Sequence, residues 1–273
     1  MRINSFSIST GLLACAALAG CAADSTSPNG TGARAVSISF AATAANSASA
    51  SLSPSGALLS SASADAITIT KVELVVARLE LQRVGATCTS DASAGDDDHG
   101  DDNSCAELEL APSVVDLPVD GSVASKLQVA VPAGTYSALE AKIRPIRTNN
   151  GNDGRGTSAF LTAHPDLAGV SIRVTGTFNG KPFVYTGSPK AEFETSFNPP
   201  VTVDSTGVNL TVQVDLSTWF RTSSGTLIDP ATANAGSANA ALVSDNIRRS
   251  FKAFQDDDHD GRDDHGEHGS NHP

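Results

Sequence analysis

The 273 residues, 40% hydrophobic and 18% charged, suffice for a domain with a sizeable core. The net charge of −12 leaves no basic patch for nucleic acid, and it is concentrated locally: residues 96–102 hold five Asp, and residues 256–267 hold six Asp and one Glu against one Arg. The remainder is nearly neutral, so two short tracts dominate the field, attracting cations and repelling anionic lipid.

In chain order, Met1-Arg2 and the short apolar run GLLACAALAG form a secretory signal, too short to span a bilayer. The run ends in Leu18-Ala19-Gly20-Cys21, which resembles the lipobox of bacterial lipoproteins. The resemblance implies that residues 1–20 are removed and that Cys21 becomes the acylated first residue of the mature chain. Its partner is then the lipid bilayer, and stable anchoring needs more than one acyl chain. Ordinary secretion with cleavage nearby is the alternative. Ala22 stands where an Asp would retain the protein at the inner membrane of enteric bacteria. This favours the outer membrane, so the expected address is the bacterial cell envelope, periplasmic or surface-facing. Residues 21–34 read as a flexible tether, broken by Pro28 and Gly30. No later segment is apolar enough to cross a bilayer.

From residue 35 to 221 the chain is rich in Val, Thr, Ser and Ala, with strand-like alternation and Gly/Pro punctuation. AATAANSASASLSPSGALLSSASAD is low in complexity and reads as a mobile loop or a marginal helix. AITITKVELVVARLELQRV alternates through Ile67, Ile69, Val72, Leu74 and Val76, then slips in phase to Leu79 and Leu81, which predicts a bulge or bend. CAELELA, SKLQVAV, TYSALEAKI and AEFETSF supply further strands. VSIRVTGTFNGKPFVYTG predicts a hairpin turning at Asn179-Gly180, where both central residues need positive φ. VNLTVQVDL is the cleanest strand, with Val208, Leu210, Val212, Val214 and Leu216 inward. The series predicts a mainly β fold, an antiparallel β-sandwich, with no helical pattern between strands. ITITKVELVVARLELQRV, VVDLPVDG and VPAGTYSALEAKI, in that order, resemble a family of bacterial lipoproteins defined only as a domain of unknown function. The resemblance implies an immunoglobulin-like or transthyretin-like sandwich and brings no catalytic residues.

Four cysteines divide by position: Cys15 lies in the signal, Cys21 takes lipid, and Cys88 and Cys105 remain. In an oxidising compartment this pair reads as a disulfide closing the acidic insertion 89–104, a bridge of about 3 kcal/mol in the chain-entropy picture. Two free thiols joining His99 on a metal are the rival reading.

Catalytic motifs are missing from the body. It has no Gly-x-Ser-x-Gly elbow or His-Glu-x-x-His helix, and its one histidine, His164, precedes Pro165 in a loop. NNGNDGRG at 149–156 lacks the lysine of a phosphate loop and reads as a turn or a weak oxygen-ligand loop. Glu192 and Glu194 share one exposed strand face. Trp219-Phe220 suits either the end of a core or a sugar platform. The chain is therefore read as no enzyme.

Residues 222–255 read as a linker and an amphipathic helix, with Val243, Ile247, Phe251 and Phe254 in one stripe and Arg248, Arg249 and Lys252 opposite. The Asp/His-rich tail 256–273 then opens with Asp256-x-Asp258-x-Asp260-Gly261, and Glu267 follows six residues after the glycine. That is the D-x-D-x-D-G-x₅-E spacing of a calcium loop, where alternate carboxylates converge on one hard cation. It departs from the full motif at Asp263, normally aliphatic, in the phase of its aromatic pair, and in lacking an exiting helix. His259, His265, His268 and His272 add imidazoles, which favour Zn2+ or another transition metal. A solvated tail is the third reading. The lead expectation is a membrane-anchored, non-enzymatic binding module for an unknown envelope or extracellular ligand. A calcium or transition-metal binding or sensing protein is the alternative.

Overall fold

The computed structural model describes residues 33–44, 50–62, 64–85, 106–108, 111–147 and 157–264. These form a mainly β structure of two sheets with two short helices. The four-stranded sheet comprises β1 (Ala33–Thr43), β7 (Val123–Pro132), β12 (Val208–Asp215) and β13 (Phe251–Gln255), in the order β13-β12-β1-β7. β1 runs antiparallel to β7 but parallel to β12, so the expectation of a purely antiparallel fold is corrected at that pair.

The nine-stranded sheet is built around β4 (Ala66–Arg83). Along one edge of β4 lie β3 (Gly56–Ser60), β6 (Ser113–Leu117) and β5 (Ala106–Leu108) in succession. Along the other lie β9 (Ile172–Phe178) and β8 (Gly134–Ile143). Outside these, β2 (Ala50–Ser53) pairs with β3, β10 (Lys181–Gly187) with β9, and β11 (Ala191–Val203) with β8. Val36, Ile38 and Phe40 from one sheet and Ile67, Leu74 and Tyr185 from the other belong to one apolar core. Burial of such side chains contributes about 1.5–3 kcal/mol each.

The phase slip of β4 has a visible cause. Val75, Val76 and Ala77 are all buried, because Val75 and Ala77 turn to a second cluster with Ile146, Phe160 and Leu167. Phe160 belongs to α1 (Thr157–Ala163), a helix the sequence pattern did not predict. The β4–β8 register shifts between Val76 and Arg78, so the bulge falls where expected. The hairpin at Asn179-Gly180 forms with φ of 50° and 77°, both positive as a two-residue turn requires. Tyr136 opens β8 and its hydroxyl donates to the Pro132 carbonyl at 2.7 Å, pinning that strand corner.

Two expectations are corrected. In the described part of the low-complexity segment, residues 41–43 end β1 and residues 50–60 are neither loop nor helix but the β2–β3 hairpin, recruited because β4 offers an open ladder. The C-terminal helix, α2 (Ala240–Arg248), keeps Val243 and Ile247 buried but ends before the two phenylalanines. Ser250 caps the break, its hydroxyl donating to the Ile247 carbonyl at 2.8 Å. Phe251 and Ala253 then face inward from β13, which pairs antiparallel with β12. Phe251 and Phe254, three apart, suit a helix, while Phe251 and Ala253, two apart, suit a strand, and the open edge of β12 decides for the strand. Among the described residues no helix is long and apolar enough to cross a membrane.

Candidate cation site

β12 carries Val208, Leu210, Val212 and Val214 on its core side and Asn209, Thr211, Gln213 and Asp215 on the other. Alternation alone leaves that polar side to water. Instead Asn209 and Thr211 are buried, because the chain leaving β13 folds back over them. The Asp256 amide donates to the Asn209 carbonyl at 3.1 Å, and Asn209 Nδ2 donates to the Asp256 carbonyl at 2.6 Å. Ser39 of β1 donates its hydroxyl to Asn209 Oδ1 at 2.8 Å, and the Asn209 amide donates to Asp257 Oδ1 at 3.1 Å. A satisfied buried network of this kind holds the start of the loop rigidly to two strands.

Asp256 is fully buried. Its Oδ2 accepts from the Thr211 hydroxyl at 2.6 Å and the Gly261 amide at 3.1 Å, and its Oδ1 accepts from the Asp260 amide at 2.9 Å. Among the described residues no basic side chain pairs with it, so a buried carboxylate is met by a hydroxyl and amides alone. Asp258 Oδ1 also accepts from the Asp260 amide, at 3.1 Å, and Asp260 Oδ1 accepts from the Arg262 amide at 2.8 Å. Gly261 sits at φ 81°, the left-handed turn expected of that glycine, and His259 at φ 62°.

The turn brings one carboxylate oxygen from each of Asp256, Asp258 and Asp260 within 4.8 Å of one another. Oxygens about 2.4 Å from a shared calcium ion span no more than this. Asp258 and Asp260 are exposed, so the cluster is open to solvent on one side. The loop is entered from strand β13 rather than from a helix, which separates it from the helix-flanked version of the motif. His259, between the carboxylates in sequence, is not part of the cluster. Glu267, His265, His268 and His272 lie outside the described residues, as do Cys21, Cys88, Cys105, His99 and residues 148–156. Leu81 and Ala106, which precede and follow the acidic insertion, are register partners in the β4–β5 ladder.

Other sequence candidates take structural positions. Trp219 and Phe220 are fully buried, which removes a sugar platform; the Trp219 indole donates to the Ser250 hydroxyl at 2.8 Å. His164 rests against Phe160 with ring centroids 5.1 Å apart. Glu192 and Glu194 are exposed on β11, with Lys142 Nζ 3.3 Å from Glu192. Asn209, Thr211 and Ser39 were not legible as site residues; the one signal was a strand whose polar side begins with Asn and Thr and carries a charge only at its end, Asp215.

Fold and site define a mainly β protein that presents an Asp-rich loop at a sheet edge. No family model and no curated protein matches the chain. Among solved structures, MbnP from Methylosinus trichosporium is similar at a TM-score of 0.43 and 13% identity, over 82% of this chain and 99% of that one.

Proposed function

We propose that the chain is a lipid-anchored, non-catalytic module of the bacterial envelope whose C-terminal loop binds calcium. The LAGC sequence ending at Cys21 supports the anchor, with the outer membrane as the address. The observation that carries calcium binding is the convergence of the Asp256, Asp258 and Asp260 carboxylates around Gly261. Hard oxygen donors select calcium over softer cations, and the cluster's lack of His259 favours calcium over the transition-metal reading. A loop without a partner motif binds in the range of about 10⁻⁴–10⁻³ M typical of extracellular modules. Asp256 is the built-in part of the site, held on β12, while Asp258 and Asp260 close on the ion from the solvent side.

Calorimetric titration of calcium into the full chain in detergent tests this reading, with Asp258→Ala as the comparison. Asp258 is exposed, so its loss leaves the β12 network intact. The expected result is saturable binding that weakens at least tenfold in the variant. Equal heats from both proteins would overturn the site. Zinc binding that outcompetes calcium would move the function to the transition-metal alternative.

A further inference from the structure

A groove of about 770 Å³ lies over the outer face of the four-stranded sheet, within the size range of small-molecule sites. Its floor is a row of residues from four adjacent strands: Val123 of β7 opposite Ala41 of β1, then Gln213 of β12, then Lys252 of β13. Its walls are the β2 hairpin, the C-terminal end of α2 and the Gly261 turn. Small lining residues leave the room: Ala41 on the floor contributes only a methyl, and Gly121 and Gly261 contribute no side chain.

The charge of the lining is opposite to that of the chain. Arg249, Lys252 and Arg262 stand against Asp215 and Asp260, a surplus of one positive charge in a protein of net charge −12; Arg262 is paired to Asp260 at 3.6 Å, so Arg249 and Lys252 are the cations the proposal rests on. Among the described residues the Lys252 ammonium has no hydrogen-bond or ion-pair partner, and the Arg249 guanidinium donates only to Asn246 Oδ1, at 3.5 Å. Both are exposed, and both are turned to the groove although acidic side chains crowd the neighbouring loop. Ser250, Thr218 and Gln213 add polar residues to the lining, their side chains bonded to the Ile247, Asp215 and Gly261 carbonyls. Converging cations above polar, water-accessible walls recognise anionic oxygen, and a guanidinium takes such a group with two parallel donors.

We infer that this groove binds a small solute bearing a carboxylate or phosphate group, held by Arg249 and Lys252 and flanked by Arg262. The site shares Asp260 and the Gly261 turn with the calcium loop, but neither Arg249 nor Lys252 belongs to the carboxylate cluster, so each can be lost without the other. Trp219, the only tryptophan, reports on it, since its indole is bonded to Ser250 of the groove wall.

The test uses the full chain in detergent, in buffer stripped of metals by a chelating resin. Succinate and inorganic phosphate are titrated separately, followed by calorimetry and Trp219 emission, with the uncharged diamide of succinate as control. Saturable binding of one or both anions, none of the diamide, and an affinity lowered about tenfold or more in Arg249→Ala/Lys252→Ala support the site. Which anion binds tells whether the natural ligand carries carboxylate or phosphate. Absence of binding by either anion overturns the proposal, and so does equal affinity of the wild type and the double variant. Asp258→Ala is expected to bind the anion as the wild type does in this buffer, so loss of the calcium site and loss of the groove are read independently.

Discussion

Asp256 shows what one residue gains from its place. Among the described residues no cation meets its carboxylate, yet three donors converge on it, from Thr211, Asp260 and Gly261. The sequence marks the residue by spacing alone; only the fold packs it against β12. Two glycines make a second point at this scale. A Cβ on Gly176 would lie 2.0 Å from the Thr68 carbonyl oxygen, and one on Gly56 would lie 2.2 Å from that of Ile69, so both edges of β4 are approached closely at one level. Backbone atoms cannot swing aside as a flexible side chain does. Gly176→Ala is therefore expected to destabilise the protein by about 3 kcal/mol, read as a lowered urea midpoint. An unchanged midpoint would show that β9 can move away from β4 without loss.

At the scale of elements, β4, β8 and β11 share an outward ladder of charge. Arg78, Lys142 and Glu192 form one row and Glu80, Glu140 and Glu194 the next, each row being a set of register partners. Burial pushes Glu140 up, but its bond to Lys142 at 2.9 Å and nearby Arg78 together hold its carboxyl below the ordinary 4.5. For Lys142, burial pulls the amine down, and Glu140 and Glu192 outweigh it, holding it above the ordinary 10.5. A carboxyl lowered on folding stabilises above its unfolded value, and that stability is lost as pH falls through the folded one. A raised amine stabilises below 10.5, and that stability is lost as pH rises through its folded value. Thermal melts from pH 2 to 12 are expected to show both losses in the wild type. Lys142→Met should flatten the alkaline limb and move the acid limb upward in pH. Superimposable profiles would mean that the ladder is solvated and contributes nothing. Little of this ladder was legible in sequence. Glu192 and Glu194 read simply as exposed carboxylates, because register between distant strands has no local signature.

For the molecule as a whole, β13 matters more than its five residues suggest. It is the edge strand beside β12, it buries Phe251 and Ala253, and its Ala253 amide donates to Thr195 Oγ1 of β11 at 3.2 Å, joining the two sheets. It also delivers the chain to Asp256 and sets Lys252 in the groove. Two truncations separate these roles. Ending the chain after Gln255 is expected to remove calcium binding and cost modestly in stability. Ending it after Ser250 is expected to lower the melting temperature by a further 10 °C or more, on the order of several kcal/mol for a domain of this size. Equal melting temperatures for the two would show that the edge strand adds nothing to the core.

The sequence by itself determined the strand-rich character, the Asn179-Gly180 hairpin, the slip in β4 and the spacing of the Asp loop, because alternation, turn chemistry and motif spacing act between near neighbours. Tertiary structure alone decided that Phe251 and Ala253 extend a sheet, that the Ala/Ser-rich segment becomes a hairpin, and that Asn209 and Thr211 are buried under the loop. Each of these depends on an open ladder or an uncovered face supplied by residues far away in the chain. A short segment with no strong preference of its own takes whichever conformation that distant edge can hydrogen-bond.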